Sequence, residues 1–341
     1  MQEISGSVPI APFAVSIGDP AGIGPEVIAK AWAVRKVQGL PAFFVIGDRR
    51  AIEAVWDGPI GTIAGPEEAN ACFDDALPCL HIDMVGPVTP GEPSADGAQC
   101  ALHALEIGIG LAKSGSAAGL VTAPVGKAQL YSIGFTHPGQ TEFIAERCGI
   151  ARNNAVMMLA GPSLRVVPLT IHIPISEVPA SLSIELIRAR AQVAAKGLVR
   201  NFGIANPRIA VAGLNPHGGE GGSIGREEID IIIPAIESLR EDGLEISGPY
   251  SPDAMFHGPA REQYDVALCM YHDQALIPIK TLHFDDGVNI TLGLPIVRTS
   301  PDHGTAFDIA GQNVASPGAM IAAIRMAERA ARNRAAEVAI G

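Results

Sequence analysis

The sequence predicts an α/β protein with mostly parallel sheets, divided into two α/β/α domains. Short apolar runs typical of buried strands, at 42–46, 118–122 and 208–212, alternate with amphipathic helical stretches such as 95–113. A chain of 341 residues is longer than one hydrophobic core usually supports. The dinucleotide fingerprint GxGxxG occurs nowhere in the sequence, so we do not expect a Rossmann domain.

The composition excludes several classes of protein. Charged residues make up 18% of the chain and hydrophobic residues 48%, which is typical of a globular protein and not of a disordered one. The net charge of −12 and the aromatic content of 5% disfavour nucleic acid as a partner. We find no signal-peptide pattern and no apolar run long enough to span a membrane. The five cysteines show no CxxC spacing, so we expect a cytoplasmic protein with reduced thiols and no membrane partner.

A glycine-rich loop, GDPAGIGPE, follows the predicted first strand at residues 12–18. Pro25 suits the first position of a helix, and Glu26 is favourable at its positive end. Such a loop can seat a phosphate or a nucleotide. Glycine-rich turns are also ordinary connectors, so the loop alone favours a plain tight turn, and the phosphate-binding interpretation stays open.

A second candidate lies at Thr141, within FTHPGQTE. We expect Thr141 at the N-cap of a helix that carries Phe143 and Ile144, because a hydroxyl there accepts a hydrogen bond from the first turn. The same hydroxyl and the free N–H groups could bind a phosphate oxygen. Further along, we expect a hairpin through Gly161 and Pro162, and a helix from Arg226 that is kinked or split at Pro234.

The segment 265–311 carries most of the chemistry-bearing residues. It begins as a buried strand at 265–270 and turns polar at once in Tyr-His-Asp-Gln. Strand ends that break into polar loops are where α/β enzymes place their sites. The polar side chains of this segment are His272, Asp273, Gln274, Lys280, Asn289, Arg298, Asp302, His303 and Asp308.

Three histidines share one setting, because His172, His217 and His272 each lie just past a predicted strand. The carboxyl ends of parallel strands meet at one edge of a sheet, so these side chains can converge. Three neutral imidazoles suit Zn²⁺, Co²⁺ or Ni²⁺. Any one of them alone would be an ordinary loop histidine. Lys280 is a solvated cation or a site residue, whereas Arg298 follows an apolar run and is expected to be drawn inward.

Seven motifs of the chain, in order, resemble those of the 4-hydroxythreonine-4-phosphate dehydrogenase family, the oxidative decarboxylases of the pyridoxine-phosphate pathway. The resemblance runs from about residue 13 to residue 330, and the set is highly specific. The motifs are GDPAGIGPE, TAPVGK, HPGQTEF, GLNPHGGEGG, MYHDQ, GVNITLGLP and RTSPDHGTAFDIAG.

The resemblance implies a set of site residues. The metal ligands of the family fall on His172, His217 and His272. Its substrate contacts fall on Thr141, Lys280, Asn289 and Arg298 and on position 140, which is commonly His in the family and is Gln140 here. Asp273 or Lys280 is the candidate catalytic base, and the sequence does not choose between them.

The resemblance also implies the isocitrate/isopropylmalate dehydrogenase-like fold. The loop DHGTAFDIAG is similar to the loop of that fold that holds the adenosine end of the cofactor, which makes His303, Gly304 and Asp308 cofactor contacts. We expect one cofactor-side domain from residues 1–127 and 275–341, and a middle domain from 128–274. The middle domain would carry the metal ligands and form a homodimer whose two subunits share the active sites.

The implied reaction is an NAD- or NADP-dependent oxidation of 4-phosphooxy-L-threonine, with one divalent metal (Zn, Mg or Co) at each site. The product is a 3-keto acid that loses CO₂ to give 3-amino-2-oxopropyl phosphate. Alternatives within the fold are a dehydrogenase of threonate or erythronate 4-phosphate or of a cis-dihydrodiol. Two further alternatives come from other classes of protein. A phosphoacyl transferase would need neither the three histidines nor the DHGTAFDIAG loop, and a non-catalytic binding module would give neither of them a role.

Overall fold

A computed structural model describes residues 10–340 of the chain, with side chains described up to residue 337. The chain divides into two compact units. The first unit contains the residues up to Pro138 and those from Pro295 onward, and the second unit contains Gly139–Leu294. The boundaries therefore lie about ten and twenty residues beyond the expected ones at 127/128 and 274/275.

The strands alternate with helices along the chain, as predicted. They are β1 (Phe13–Ser16), β2 (Phe43–Gly47), β3 (Ile60–Thr62), β4 (Leu77–His81), β5 (Leu120–Thr122), β6 (Val156–Ala160), β7 (Arg165–Pro168), β8 (Ile209–Ala212), β9 (Ile246–Tyr250), β10 (Val266–Cys269), β11 (Val288–Leu292) and β12 (Arg298–Pro301).

The α-helices vary from single turns to long elements. They are α1 (Gly24–Ala33), α2 (Arg35–Gln38), α3 (Arg49–Glu53), α4 (Ala69–Phe73), α5 (Ala95–Ser114), α6 (Lys127–Ser132), α7 (Gln140–Arg147), α8 (Val178–Ser181), α9 (Ile184–Phe202), α10 (Ile233–Glu241), α11 (Pro252–Met255), α12 (Gly258–Arg261), α13 (His272–Leu282) and α14 (Gly318–Ile340). Short 3₁₀ segments occur at Pro66–Glu68, Arg152–Asn154, Ile175–Glu177 and Pro216–Gly222, and a π-helical turn at Glu228–Ile232.

In the first unit the strands are ordered β3-β4-β2-β1-β5-β12 and all pair in parallel. In the second unit the order is β11-β6-β7-β10-β8-β9. There β7, β10, β8 and β9 run parallel, whereas β6 is antiparallel to both of its neighbours. The predicted hairpin between β6 and β7 is present. Because β11 pairs with β6, the segment 275–294 belongs to the second unit, and the expected boundary at 274/275 misses this pairing.

The two longest helices before α14 begin and end on residues that suit those positions. Ser94 caps α5, and its side chain accepts a hydrogen bond from Gly97 N at 3.0 Å. Ser183 caps α9 in the same way, with Leu186 N at 3.1 Å. Both helices end in a left-handed glycine. In the helix expected from residue 226, the π-helical turn leads directly into α10 next to Pro234, and the backbone at Ile232 and Ile233 stays helical, so the helix is not split there.

The strands bury their side chains almost completely. Phe13, Phe43 and Phe44 are fully buried in the first unit, and Val166 and Leu268 are fully buried in the second. This agrees with near-continuous apolar strands in a parallel sheet that is covered by helices. Among the described residues, none of the helices combines the length and the apolarity needed to cross a membrane.

An ion pair joins the amino ends of the neighbouring strands β8 and β10. Asp265 accepts hydrogen bonds from the backbone N–H of Arg208 at 2.8 Å and from its guanidinium at 3.2 Å. Burial alone would raise the pKa of the Asp265 carboxyl, but the hydrogen bonds from Arg208 outweigh it and hold the pKa below the ordinary value. The pair therefore stabilises the folded state above the ordinary aspartate pKa, and this contribution is lost as the pH falls through the lowered value.

We predict that Asp265→Asn lowers the free energy of unfolding at pH 7 by about 1–2 kcal/mol, because it removes a charge-assisted acceptor. The difference from the wild type should shrink below pH 3.8, the ordinary aspartate value, as the wild-type carboxyl becomes protonated. Denaturant unfolding at pH 7, 5, 4 and 3 measures both effects. Asp285→Asn, at an exposed position, is the control. A difference that persists undiminished at pH 3 would contradict the role of the charge.

Candidate functional site

The three candidate metal ligands follow three neighbouring parallel strands of the second unit. His172 lies four residues past β7, His272 three residues past β10 and His217 five residues past β8. The strand order is β7-β10-β8, so β10 lies between the other two. The topology thus brings all three histidines to the same edge of the sheet.

His172 and His272 are in ring contact, with their centroids 5.8 Å apart. His272 is the first residue of α13, and its Nδ1 donates a hydrogen bond to Asp273 Oδ1 at 2.6 Å. This hydrogen bond orients the imidazole and leaves Nε2 available as a donor atom for a metal. Asp273, expected as a candidate base, is therefore engaged with a candidate ligand.

His217 lies in a loop of unusual backbone conformation. Six consecutive residues, 217–222, all have positive φ, and His217 itself has φ 51°. Glycines supply most of this run, but His217 and Glu220 carry side chains in the left-handed region, which costs each about 1–2 kcal/mol. His172 also has a positive φ, of 56°. Strain of this kind clusters at functional sites, and here it falls on two of the three candidate ligands.

The described residues of a single chain do not complete a metal site. No group of three or more His, Cys, Asp or Glu side chains within them could hold a metal ion. One chain brings together His172 and His272, and His217 is not grouped with them. The donor types fit a divalent transition metal, because neutral imidazoles are its common ligands.

The other candidate residues of the second unit lie on α13, β11 and α7. Lys280 is half-buried in the last turn of α13. Asn289 lies on β11, and its Oδ1 is buried without a hydrogen-bond partner in the part of the chain that the structure describes. A buried acceptor without a partner is costly unless a ligand or water satisfies it. Gln140 and Thr141 begin α7.

The predicted N-cap at Thr141 is wrong. Gly139 is the N-cap of α7 and has an extended backbone, and glycine has no side chain that could accept a capping hydrogen bond. Thr141 is therefore not the cap but the second residue of the helix. The hydroxyl therefore does not occupy the capping position. The unpaired backbone N–H groups of the first helical turn still lie at this end of α7, and such groups bind anions.

Arg298 lies at the start of β12 in the first unit and is drawn inward as expected. It is 3% exposed, and its Nη2 donates to Thr122 Oγ1 at 2.8 Å. A buried guanidinium on a strand is well suited to binding a carboxylate or phosphate, because its charge is desolvated and its fork is rigid.

The glycine-rich loop packs closely against its own chain. A Cβ at Gly24 would approach Ile17 O to 2.4 Å, so this position requires glycine for backbone contact. Asp19 is buried and accepts a hydrogen bond from Ala21 N at 3.1 Å. Burial raises the pKa of the Asp19 carboxyl, while hydrogen bonds from the Ala21 and Gly126 amides oppose the shift. The tight-turn interpretation accounts for these contacts.

The loop after β12 is fastened to α1. Thr305 O accepts from Ile23 N at 2.9 Å, and Lys30 Nζ donates to Asn313 O at 2.9 Å and to Ala315 O at 2.8 Å. The candidate cofactor residues His303, Gly304 and Asp308 lie within this loop. His303 Nε2 is buried without a hydrogen-bond partner among residues 10–337, as a ligand-facing ring nitrogen would be.

Three buried polar residues to which sequence analysis assigned no role are Thr170, Gln274 and Glu228. Gln274 stands in the polar run after β10, and this run is the sequence signal that marks it. Glu228 carries no such signal, since acidic residues near a helix start are common.

Comparison with known proteins supports the fold and identifies the family. Residues 40–327 match the family described as "Pyridoxal phosphate biosynthetic protein PdxA". The 4-hydroxythreonine-4-phosphate dehydrogenase of Zymomonas mobilis is 58% identical over 325 residues, which cover 95% of this chain and 97% of that protein. The crystal structure of 4-hydroxythreonine-4-phosphate dehydrogenase from Klebsiella pneumoniae superposes with a TM-score of 0.84, at 36% identity over 94% of this chain and 99% of that one.

A more distant structure is a terephthalate 1,2-cis-dihydrodiol dehydrogenase from Burkholderia xenovorans, with a TM-score of 0.65 and 29% identity over 94% of this chain and 98% of that one. The predicted α/β class with mostly parallel sheets is confirmed. The fold and these relatives define the class as an oxidoreductase of the dehydrogenase type. The chain belongs to the PdxA family of pyridoxal phosphate biosynthetic proteins, as its motifs indicate.

We predict that His217→Gly does not lower the stability of the metal-free protein and raises the free energy of unfolding by up to about 1 kcal/mol, because glycine adopts a left-handed backbone without a steric cost. His257→Gly is the matched control, since His257 is exposed and has φ −72°. That variant should lose about 0.5–1 kcal/mol through the greater chain entropy of glycine. Urea unfolding in the presence of a chelator measures both. Equal losses in the two variants would contradict the strain at His217.

Proposed function

We propose that this protein oxidises 4-phosphooxy-L-threonine with NAD⁺ or NADP⁺ and a divalent metal. The product is the 3-keto acid, which decarboxylates to 3-amino-2-oxopropyl phosphate in pyridoxal phosphate biosynthesis. The observation that carries the proposal is the placement of three histidines at one edge of a parallel sheet. They occur in a chain that is 58% identical to a protein named 4-hydroxythreonine-4-phosphate dehydrogenase.

The metal ligands in this proposal are His172, His217 and His272. A divalent ion bound there would act as a Lewis acid on the reacting hydroxyl and on the carbonyl that replaces it. Two rings already lie in contact, and two ligands have strained backbones that need a compensating interaction. We assign Zn²⁺, Co²⁺ or Mg²⁺ to the site; the imidazole set favours the first two.

We propose different roles for Asp273 and Lys280. Asp273 accepts the Nδ1 proton of His272 and holds this ring with Nε2 outward, so its function is orientation. We assign the role of catalytic base, which accepts the proton of the reacting hydroxyl, to Lys280. Asp273 is already engaged with His272, and Lys280 lies half-buried on the same helix, α13.

For the phosphate and the cofactor we propose the residues that the family resemblance indicates. The substrate contacts are Gln140, Thr141, Lys280, Asn289 and Arg298, among which Asn289 has a buried acceptor and Arg298 a buried guanidinium. The cofactor contacts are His303, Gly304 and Asp308. A nicotinamide cofactor would supply the hydride acceptor. The loop that carries these three residues is fixed by its hydrogen bonds to α1.

We further propose a homodimer in which each active site takes ligands from both subunits. Large apolar side chains are exposed on the segments that carry the histidines: Ile175 is 72% exposed and Ile277 64%, and Phe284, just past α13, is 76% exposed. Exposed large apolar side chains on segments that meet at the contact between His172 and His272 favour an interface there. The occupant is a second copy, because the described residues of one chain hold no complete metal-binding group. The cysteines, all present as free thiols, support a cytoplasmic location.

The deciding experiment is an NAD(P)⁺ reduction assay with 4-phosphooxy-L-threonine, 4-phosphoerythronate, 4-phosphothreonate and a cis-dihydrodiol. Each substrate is tested after chelation and after addition of Zn²⁺, Co²⁺ or Mg²⁺. We expect turnover of 4-phosphooxy-L-threonine that is lost on chelation and restored by metal. Preference for the dihydrodiol or for a phosphosugar acid would favour the related dehydrogenases. Full activity after exhaustive chelation would contradict the proposed metal site.

We predict that Arg298→Lys weakens binding of the phosphorylated substrate roughly ten- to a hundredfold, because a point charge cannot reproduce the guanidinium fork. Initial rates over a range of substrate concentrations give the change in kcat/KM. Arg325→Lys, on α14, is the control because it exchanges the same two residue types away from the proposed contacts. Unchanged kcat/KM in Arg298→Lys would remove Arg298 from the substrate site.

We predict that two inactive variants, His217→Ala and His272→Ala, regain partial activity when their subunits are exchanged. If either histidine is supplied by the partner, a mixed dimer has one site with both lesions and one with neither. Mixing after mild dissociation, with exchange followed by mass spectrometry of differently tagged chains, measures the effect. A mixture that stays inactive despite complete exchange would show that both histidines act within one subunit.

A further inference from the structure

Buried hydrogen bonds connect the carboxyl ends of the three strands that precede the histidines. Thr170 Oγ1 donates to Met270 O at 2.8 Å, which joins the ends of β7 and β10. Met270 N donates to Gln274 Oε1 at 2.6 Å. Gln274 Nε2 donates to Gly213 O at 2.8 Å, which joins the ends of β10 and β8. The three strand ends are therefore linked through two side chains.

Glu228 forms further hydrogen bonds with the residues that follow β8. Its Oε1 accepts from the backbone N–H groups of Leu214 and Asn215, both at 2.7 Å. Its Oε2 accepts from Asn215 Nδ2 at 2.9 Å. The residue is 2% exposed, so these three hydrogen bonds replace the water that a carboxylate would otherwise bind.

The hydrogen-bonded positions bear a constant relation to the histidines. Thr170, Met270 and Asn215 each lie two residues before His172, His272 and His217, respectively. A shift in any of these three positions would therefore move the corresponding histidine directly. Since metal ligands must be placed within a few tenths of an ångström, such a shift would alter metal binding.

The loop that carries His217 needs an external support. Its run of left-handed residues is unfavourable for a chain of L-amino acids, so local preference does not maintain it. Gly219 packs against the Glu228 carboxylate so closely that a Cβ there would come within 2.8 Å of Oε2. The carboxylate thus holds both the start of the loop and its centre.

We propose that Thr170, Gln274 and Glu228 form a polar brace that positions the three histidines for metal binding. The inference rests on the proposed function, in which these histidines are the metal ligands. The three residues contact neither substrate nor metal in this proposal. They act through the backbone at the ends of β7, β10 and β8.

The test measures the affinity of the chelator-stripped protein for Co²⁺, together with the visible absorption spectrum of the bound ion. Gln274→Met keeps the side-chain volume and removes both hydrogen bonds. Glu228→Gln keeps one acceptor oxygen but turns an amide group toward the Asn215 amide. Both variants should bind Co²⁺ about ten- to a hundredfold more weakly and show altered absorption bands, as changes behind metal ligands do.

Matched controls separate positioning from general destabilisation. Gln263→Met and Glu237→Gln make the same exchanges at exposed positions and should bind Co²⁺ as the wild type does. Thermal unfolding without metal reports the stability of each variant. If Gln274→Met does not fold, Thr170→Val, which removes one hydrogen bond at nearly constant volume, should still weaken Co²⁺ binding by roughly threefold.

The outcomes distinguish the two proposals. If His217→Ala loses Co²⁺ binding while the folded brace variants bind as the wild type does, the brace is overturned and the metal site stands. If His217→Ala binds Co²⁺ as tightly as the wild type, the metal site is wrong and the brace falls with it. Weakened binding and a changed spectrum in the brace variants, with unaffected controls, support the inference.

Discussion

The side-by-side arrangement of β7, β10 and β8, all running in one direction, is the constraint on which the candidate site depends. A parallel pair must place its carboxyl ends at the same edge, so chain segments about fifty residues apart leave the sheet together. The strands are held in this order by fully buried apolar side chains such as Val166, Val211 and Leu268. The polar residues that follow them are thus positioned by hydrophobic burial.

Much of this arrangement could be predicted from the sequence because the signals are local. Strands in parallel sheets are short apolar runs, and helices carry their own periodicity and caps, as Ser94 and Ser183 illustrate. The predicted start of α7 is wrong because that prediction used only a local signal. Thr141 and Gly139 have similar preferences for the N-cap, and the structure places the cap at Gly139, whose backbone is extended. N-cap propensity ranks residue types, but it does not show at which residue the backbone enters the helical conformation.

Long-range pairings set the limit of sequence reasoning in both the domain boundary and the site. The pairing of Asn289 with Leu159 in β11 and β6 joins residues 130 positions apart, and it carries the segment 275–294 into the second unit. The contacts of Thr170 and Gln274 span 100 and 61 residues. Sequence patterns and family motifs identified the histidines, but the hydrogen bonds behind them depend on which strand ends become neighbours.

The discontinuous first unit has a consequence for how the chain is made. Its strand β5 pairs with β12, and α14 packs on β1, β5 and β12, yet β12 and α14 follow the whole second unit in the sequence. During synthesis the ribosome therefore releases residues up to 138 with one edge of their sheet open. The second unit is continuous and can fold as it emerges. For as long as its roughly 150 residues take to translate, at about 5–20 residues per second, the unpaired β5 edge is exposed to other nascent chains.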